Sequence, residues 1–305
     1  MASPRFITHA FAGNPLDRAG DRRSDADWIA RQLEAPGAQA LVLWKGQPLL
    51  RPGPELVFIE GALAAKLAET GEHLVFLGLD GEHAVFALEI EGEADPAQGP
   101  LQGIGQFGEM REAAQVLPIP VTGLLSASRS LFEWRKRHRY CSVCGHASNG
   151  VEGGWKRLCP NCKAEHFPRT DPCVIMLPTL GDRCLVGRQA AWVVNRYSAL
   201  AGFLEPGESI EEACAREVKE EAGLVVTGVR YHSSQPWPYP SNLMIGLIAE
   251  VSHDDARPDL SELESVRWLT RKEALALVDG KLEGVTAPPP FAIAHSLIRG
   301  WAEGL

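Results

Sequence analysis

Apolar residues come in short runs closed by turn formers along the first ninety or so positions. Residues 41–44 and 56–59 read as short strands, broken by Gly46, Pro48, Pro52 and Pro54. Residues 74–77 and 84–88 read as two more, with Asp80-Gly81 as the turn between them. Residues 61–70 read as a short helix. A longer helix is expected over 123–138, where Leu124, Leu125, Leu131, Phe132 and Trp134 supply an apolar face. In the last part of the chain, 173–177 and 183–187 read as paired strands, and 225–231, 243–251 and 265–269 as further ones. Helices are expected after Ser209, near Arg271, and after the three prolines at 288–290, the last taking in Ile293, Leu297 and Ile298. Ser209 with Glu212 forms a capping-box pattern, and Gly223 is a natural helix stop. Mixed strands and helices around one core give an α+β domain.

Composition sets outer limits. A chain of 305 residues has room for two domains or more. Its 45% hydrophobic and 23% charged residues are ordinary for a soluble globular protein. A formal charge of −9 argues against a nucleic-acid coat or a membrane-surface protein, while leaving room for a local basic patch. The strongest such patch, Arg135-Lys136-Arg137-His138-Arg139, closes the 123–138 helix. It reads equally as a phosphate-binding site or as a solvated helix end favoured by the helix dipole. No apolar run approaches the roughly 18 to 20 residues that span a bilayer. Positions 1–10 carry no secretory pattern, so a cytosolic location is expected. No internal repeat stands out. Asn14 to Arg18 reads as a surface turn.

Four of the seven cysteines form C-x2-C-x14-C-x2-C: Cys141, Cys144, Cys159 and Cys162. Paired knuckles with Gly145 and Asn161 as turn residues fit four thiolates around a tetrahedral Zn²⁺ with no open position, hence a structural zinc ribbon. Two disulfides or free thiols are the alternative. Cys173, Cys184 and Cys214 read as buried thiols. The chain divides into an N-terminal α/β domain (1–130), a linker helix with zinc ribbon (131–168) and a C-terminal α+β domain (169–305).

Glu217, Glu220 and Glu221 lie at i, i+3 and i+4 on the helix after Ser209, which places three carboxylates on one face. They make either a hard-cation site for phosphoryl chemistry or a solvated acidic face. The surrounding pattern is Gly202, five residues, Glu208, seven residues, then Arg216-Glu-Val-Lys-Glu-Glu-Ala-Gly-Leu224. This resembles the complete signature of the Nudix hydrolases, which cleave a nucleoside diphosphate linked to another group.

Downstream lies Ser234-Gln-Pro-Trp-Pro-Tyr-Pro-Ser241. Alternating prolines stiffen it and hold Trp237 and Tyr239 apart, either as a clamp for a planar ring or as a turn with core aromatics. The segment resembles the hallmark of the NADH pyrophosphatase branch of the Nudix family, with Tyr239 where Phe is usual. That branch also has a four-Cys ribbon and an N-terminal domain in this order.

The resemblance implies a Nudix fold with a mixed sheet and flanking helices, catalytic Mg²⁺ or Mn²⁺ beside the structural Zn²⁺, and a homodimer. It implies hydrolysis of NAD(H) to NMN(H) and AMP, extending in the family to NAD-capped RNA. It places metal ligands at Glu217, Glu221 and the Ala201 carbonyl, with Glu220 among them as ligand or base. Glu262, six residues before Trp268, is a further acidic ligand. Ser265 stands where the family often has Glu, and Glu264 is not assigned in its place. Phe203 and Phe167 are implied in the base pocket. Gln235, Pro236, Trp237, Pro238, Tyr239, Pro240, Ser241 and Asn242 are implied as dinucleotide contacts, Ala294 as a small residue near the site, and Arg111 as a loosely aligned substrate arginine. Arg216 reads as orienting a glutamate by ion pairing. The rival readings are a Nudix hydrolase of another dinucleotide or ADP-ribose, and a non-catalytic ribbon module that holds RNA.

Overall fold

The computed structural model describes residues 7–304 apart from Pro54 and Thr70. The start of the segment read for a leader, the Pro54 breaker and the end of the expected 61–70 helix lie outside the described residues. The chain forms two compact units. Of the described residues, one takes 7–9, 171–236 and 242–304; the other takes 10–170 and 237–241.

The second unit opens with α1 (Ala26–Glu34), capped by the Asp25 carboxylate. The strands that follow are β1 (Gln39–Trp44), β2 (Gln47–Arg51), β3 (Glu55–Leu56), β4 (Phe58–Glu60), β5 (Leu74–Asp80), β6 (His83–Ile90) and β7 (Gln106–Phe107). They form one sheet in the order β3-β2-β1-β6-β5, with β4 on β1 and β7 on β2. Helix α2 (Gly61–Leu67) follows β4, and α3 (Met110–Val116) leads to α4 (Ile119–Arg137). The β2 strand, α1 and α3 went unread in the sequence. Pro48, taken as a breaker, lies inside β2 opposite Leu43, and its carbonyl accepts from Gly108 N–H.

The ribbon is a small sheet, β10-β9-β8, of β8 (Asn149–Val151), β9 (Lys156–Leu158) and β10 (Glu165–His166). Glu72 fastens it. Its carboxylate accepts from Gly150 N–H (2.7 Å), Arg157 (2.7 Å) and Arg135 (3.1 Å). Arg135 also donates to Leu74 O and Gly71 O. The basic run thus divides: Arg135 is buried in this network, Arg137 pairs with Glu133, and Arg139 reaches Glu91.

The first unit is a mixed sheet, β14-β15-β11-β12-β16, with β13 on β11. Its strands are β11 (Asp171–Leu180), β12 (Arg183–Arg188), β13 (Leu200–Phe203), β14 (Val226–Trp237), β15 (Asn242–Val251) and β16 (Ser265–Thr270). Helix α5 (Ile210–Ala222) covers one face; α6 (Arg271–Val278) and α7 (Ile293–Glu303) cover the other. The β11 strand is an unbroken apolar run from Pro172 to Pro178 because both faces are covered. Val174 and Met176 pack with Ala213 and Val218 of α5; Ile175 and Leu177 pack with Leu297 of α7. His9 is buried against this unit, hydrogen bonded to Ser233 at 2.8 Å, and burial with nearby His232 pushes its pKa down to about 4.

The two sheets share a connectivity that no sequence repeat announced. In each, a hairpin comes first (β1-β2, β11-β12), then a short strand antiparallel to its first member (β4, β13), then a helix (α2, α5). A strand pair follows whose second member runs parallel to the first strand (β6 to β1, β15 to β11). Helix α2, at the place of the acidic α5, reads Gly-Ala-Leu-Ala-Ala-Lys-Leu and bears no carboxylate.

Candidate active site

The site is assembled on β13 and α5. Ser209 caps α5 with the full reciprocal box to Glu212, and Gly223 ends it in the left-handed conformation (φ 68°). Its buried face is Ala213, Cys214, Glu217, Val218, Glu221 and Ala222. The three clustered carboxylates are therefore not equivalent. Glu217 and Glu221 are buried, and the Glu220 side chain is 57% exposed.

Each buried glutamate has its own support. The Glu217 carboxylate lies against Gly202 of β13, in the space a Cβ there would fill. Glu221 accepts from the Ala201 N–H, while its Oε2 is buried with no hydrogen-bond partner. Burial, then the charges of Glu217 and Glu262, push the Glu221 carboxyl up to about 8. Glu217 is raised for the same first cause, against the pull of Arg216.

Arg216 is the hub. Its guanidinium forks onto both oxygens of Glu208 (2.6 and 2.9 Å) and donates to Glu217 (2.8 Å), Glu220 (2.9 Å) and the Phe203 carbonyl (2.8 Å). Five donors in a rigid plane suit this better than an ammonium would. The paired cation holds Glu208 well below the usual carboxylate range, at about 2.

Glu262 comes from a distant loop. Asp259 N–H donates to the Glu221 carbonyl and Arg257 N–H to the Ala222 carbonyl, so the loop caps the C-terminus of α5. Glu262 N–H then bonds back to Asp259 O, and its charge is felt by both Glu217 and Glu221. Glu264 turns away to pair with Arg188 at 2.6 Å, and Ser265 bonds Tyr197.

The four ribbon sulfurs lie within 4.8 Å of one another. The Cys141–Cys162 and Cys144–Cys159 pairs are 3.6 and 3.5 Å apart, far beyond a disulfide bond of about 2.05 Å. A tetrahedron with Zn–S of about 2.3 Å has edges of about 3.8 Å, so the cage fits zinc. The two knuckles repeat one hydrogen-bond pattern: Gly145 N–H to Cys141 O, and Lys163 N–H to Cys159 O. The left-handed residues are Gly145 and Lys163, not Asn161, whose amide points at Cys144 Sγ.

The Pro-rich segment is strand as far as Trp237, and only residues 238–241 turn. Buried Gln235 spends its amide on the backbone at the start of α7, donating to Phe291 O and accepting from Ile293 N–H, both at 2.8 Å. Its side chain thereby positions α7, whose first turn holds buried Ala294. Trp237 and Tyr239 are half-buried, with ring centroids 5.5 Å apart, and both meet Phe11 edge-on. The guanidinium groups of Arg111 and Arg129 stand 4.4 and 4.8 Å from the Tyr239 centroid. Two cations thus face the Tyr239 ring. Phe167 and Phe203 are 63% and 56% exposed, open to a ligand.

Three family profiles match the chain in succession. They are an NADH pyrophosphatase-like rudimentary NUDIX domain (37–134), the NADH pyrophosphatase zinc ribbon domain (136–167) and the NUDIX domain (169–287). The chain is 34% identical to the NAD-capped RNA hydrolase NUDT12 of Macaca fascicularis, over 98% of its own length and 76% of that protein's. The chain belongs to the NADH pyrophosphatase branch of the Nudix hydrolases. It is also 34% identical to the NAD-capped RNA hydrolase NudC of Deinococcus radiodurans over 93% of each. With the mitochondrial NAD(P)H pyrophosphatase NUDT13 of Mus musculus it shares 40% identity, over 65% of this chain and 60% of that one.

Within this Nudix hydrolase the structure brings together Glu217, Glu221, Glu262 and the Ala201 backbone, with Glu220 at the open edge. Sequence reading missed the parts played by Gly202 and Glu208, although both are fixed positions of the signature. It also missed Arg129, which belongs to no motif.

Proposed function

We propose that this protein hydrolyses the diphosphate of NAD(H) to NMN(H) and AMP, and removes NAD caps from RNA by the same cleavage. The observation that carries the chemistry is Glu221: a buried carboxyl with one orphaned oxygen, facing two other carboxylates. Such a cluster is unfavourable alone and favourable around a divalent cation. Glu217, Glu221 and Glu262, with Glu220 and the Ala201 carbonyl, would hold Mg²⁺ or Mn²⁺. Bound there, the cation supplies charge neutralisation at the phosphoryl oxygens and a water of lowered pKa.

The chain's own residues do the rest. Glu220, exposed at the edge, accepts a proton from the attacking water. A new P–O bond forms to that water oxygen while the bridging P–O bond breaks, releasing NMN(H) and AMP. Arg216 keeps Glu217 and Glu220 aligned and does not touch the substrate. Phe203 and Phe167 contact bases, and the segment 236–242 contacts the dinucleotide. The protein works as a cytoplasmic homodimer, each chain in three parts (1–130, 131–168 and 169–305). No described helix is long and apolar enough to cross a membrane.

The test is chromatography of NADH, NAD⁺, ADP-ribose and NAD-capped RNA after incubation with the protein and Mg²⁺ or Mn²⁺. NMN(H) with AMP from the dinucleotides, and 5′-monophosphate RNA from the capped RNA, is the expected result. Preferential cleavage of ADP-ribose, or no cleavage by folded, zinc-loaded protein, overturns it.

A further inference from the structure

The segment 237–241 is contiguous with the strands of the Nudix domain, yet it clusters with the N-terminal unit. Within that unit, Arg129 of α4 hydrogen-bonds to the segment. Its Nε donates to the Pro238 carbonyl at 2.9 Å, and its Nη1 donates to the Gly46 carbonyl at 2.7 Å. The same guanidinium stands over the Tyr239 ring. Next to it on the helix, Ser130 Oγ donates to the Pro240 carbonyl at 3.3 Å.

The chemistry explains why arginine is needed. Pro238 and Pro240 have no N–H, so their carbonyls are their only backbone hydrogen-bonding groups, and any side chain that grips them must be a donor. Arg129 combines a donor for the loop, a second donor for the β1–β2 turn and a cationic plane for Tyr239. Gly46 sits in that turn with φ 74°, and a Cβ there would displace Arg129 Nη1. The turn is therefore shaped to receive the guanidinium. Arg111 of α3 adds a second cation to the same ring.

We propose that Arg129 is a positioning residue for the dinucleotide-binding segment, and that holding this segment is what the N-terminal domain, whose α2 bears no carboxylate, contributes to catalysis. The inference rests on the reading of the protein as an NAD(H) diphosphatase. Arg129 acts through residues 237–241 and not on the metal ligands of α5.

The experiment compares wild type with Arg129→Ala, Arg129→Lys and Gly46→Ala, all checked for full zinc content. Steady-state kinetics on NADH are paired with hydrogen exchange at the Trp237, Tyr239 and Ser241 amides, the ones that segment possesses. For Arg129→Ala the expected result is a KM for NADH raised about tenfold or more with kcat within about twofold, since binding and not chemistry is lost. Faster exchange at the three amides, with α5 unchanged, should accompany it. Gly46→Ala should reproduce both effects, and Arg129→Lys, with one donor group in place of the fork, should fall between. An unchanged KM with unchanged exchange overturns the proposal, as does a joint fall of kcat and zinc content. If wild type does not cleave NADH, the functional reading fails, and exchange alone then decides whether Arg129 holds the segment.

Discussion

Gly202 and Glu217 cannot both keep their places if either grows by one carbon. The carboxylate of Glu217 lies where a Gly202 Cβ would be. Gly202 is in ordinary strand backbone, opposite Val174 of β11, so the demand is for space and not for an unusual φ. Gly202→Ala should leave the sheet intact and push Glu217 off its position. The expected outcome is a fall in kcat of about a hundredfold or more, because a misplacement of about an ångström costs that much. Thermal melting and zinc analysis would show a folded, zinc-loaded protein; normal turnover would contradict the placement.

Much of α5 was legible because its signals are local. Ser209 and Glu212 satisfy each other across one turn, and Gly223 stops the helix by its own conformational freedom. The cysteine knuckles are equally local. What was not legible depends on parts of the chain far apart in sequence. The family resemblance names Glu262, but the contact that carries its loop to the site, Asp259 and Arg257 capping α5, is one no spacing rule contains. Arg135 reads from sequence equally as a phosphate ligand or a solvated helix end, and only the arrival of Glu72 and the Leu74 carbonyl makes it buried. Gln235 sits in a motif associated with substrate, yet its amide is spent on α7. The shared connectivity of the two sheets shows as no internal repeat in the sequence, since α2 stands at the place of α5 with none of its acids.

Glu221 links stability to metal. Its carboxyl is raised to about 8 by burial and by Glu217 and Glu262, so ionising it without a cation is costly. Mg²⁺ should therefore raise Tm, by an amount worth about 2.7 kcal/mol at a hundredfold excess over Kd. Glu221→Gln removes the charge while keeping the shape. It should melt at or above the metal-free wild type, lose the Mg²⁺-dependent shift and lose kcat by roughly two to four orders of magnitude. Scanning calorimetry with and without Mg²⁺, beside turnover of NADH, checks all three. A full Mg²⁺ shift in the variant would remove Glu221 from the ligand set.

Zinc should matter to more than the ribbon. The Arg157–Glu72 pair and the Gly150–Glu72 hydrogen bond join the ribbon to the N-terminal sheet, and both need β8 and β9 in place. Glu72 is held below its usual pKa by Arg135 and Arg157 against burial, so a lost ribbon leaves a strained carboxylate. Cys162→Ser, or a strong chelator, should lower Tm by about 10 °C or more. Metal analysis should give one zinc per chain in the wild type; its absence there, with an unchanged melt after chelation, would contradict the cage.

Glu89 gives the stability of the N-terminal unit a slope with pH. Burial raises its carboxyl to about 7; Lys136 and Arg135 pull it down, and Glu91 and Glu133 push it up. An unfolded chain releases this proton near 4.5, so between about 4.5 and 7 the folded state binds more protons than the unfolded one. Its contribution to stability therefore falls as pH rises across that window and levels off above it. Glu89→Gln cannot ionise and should lack this part of the slope. The variant should equal wild type below about pH 4.5 and exceed it at pH 8 by at most about 3.4 kcal/mol. Denaturant unfolding at several pH values measures the difference directly. A gap between variant and wild type that stays constant with pH would mean that Glu89 is already ionised in the fold.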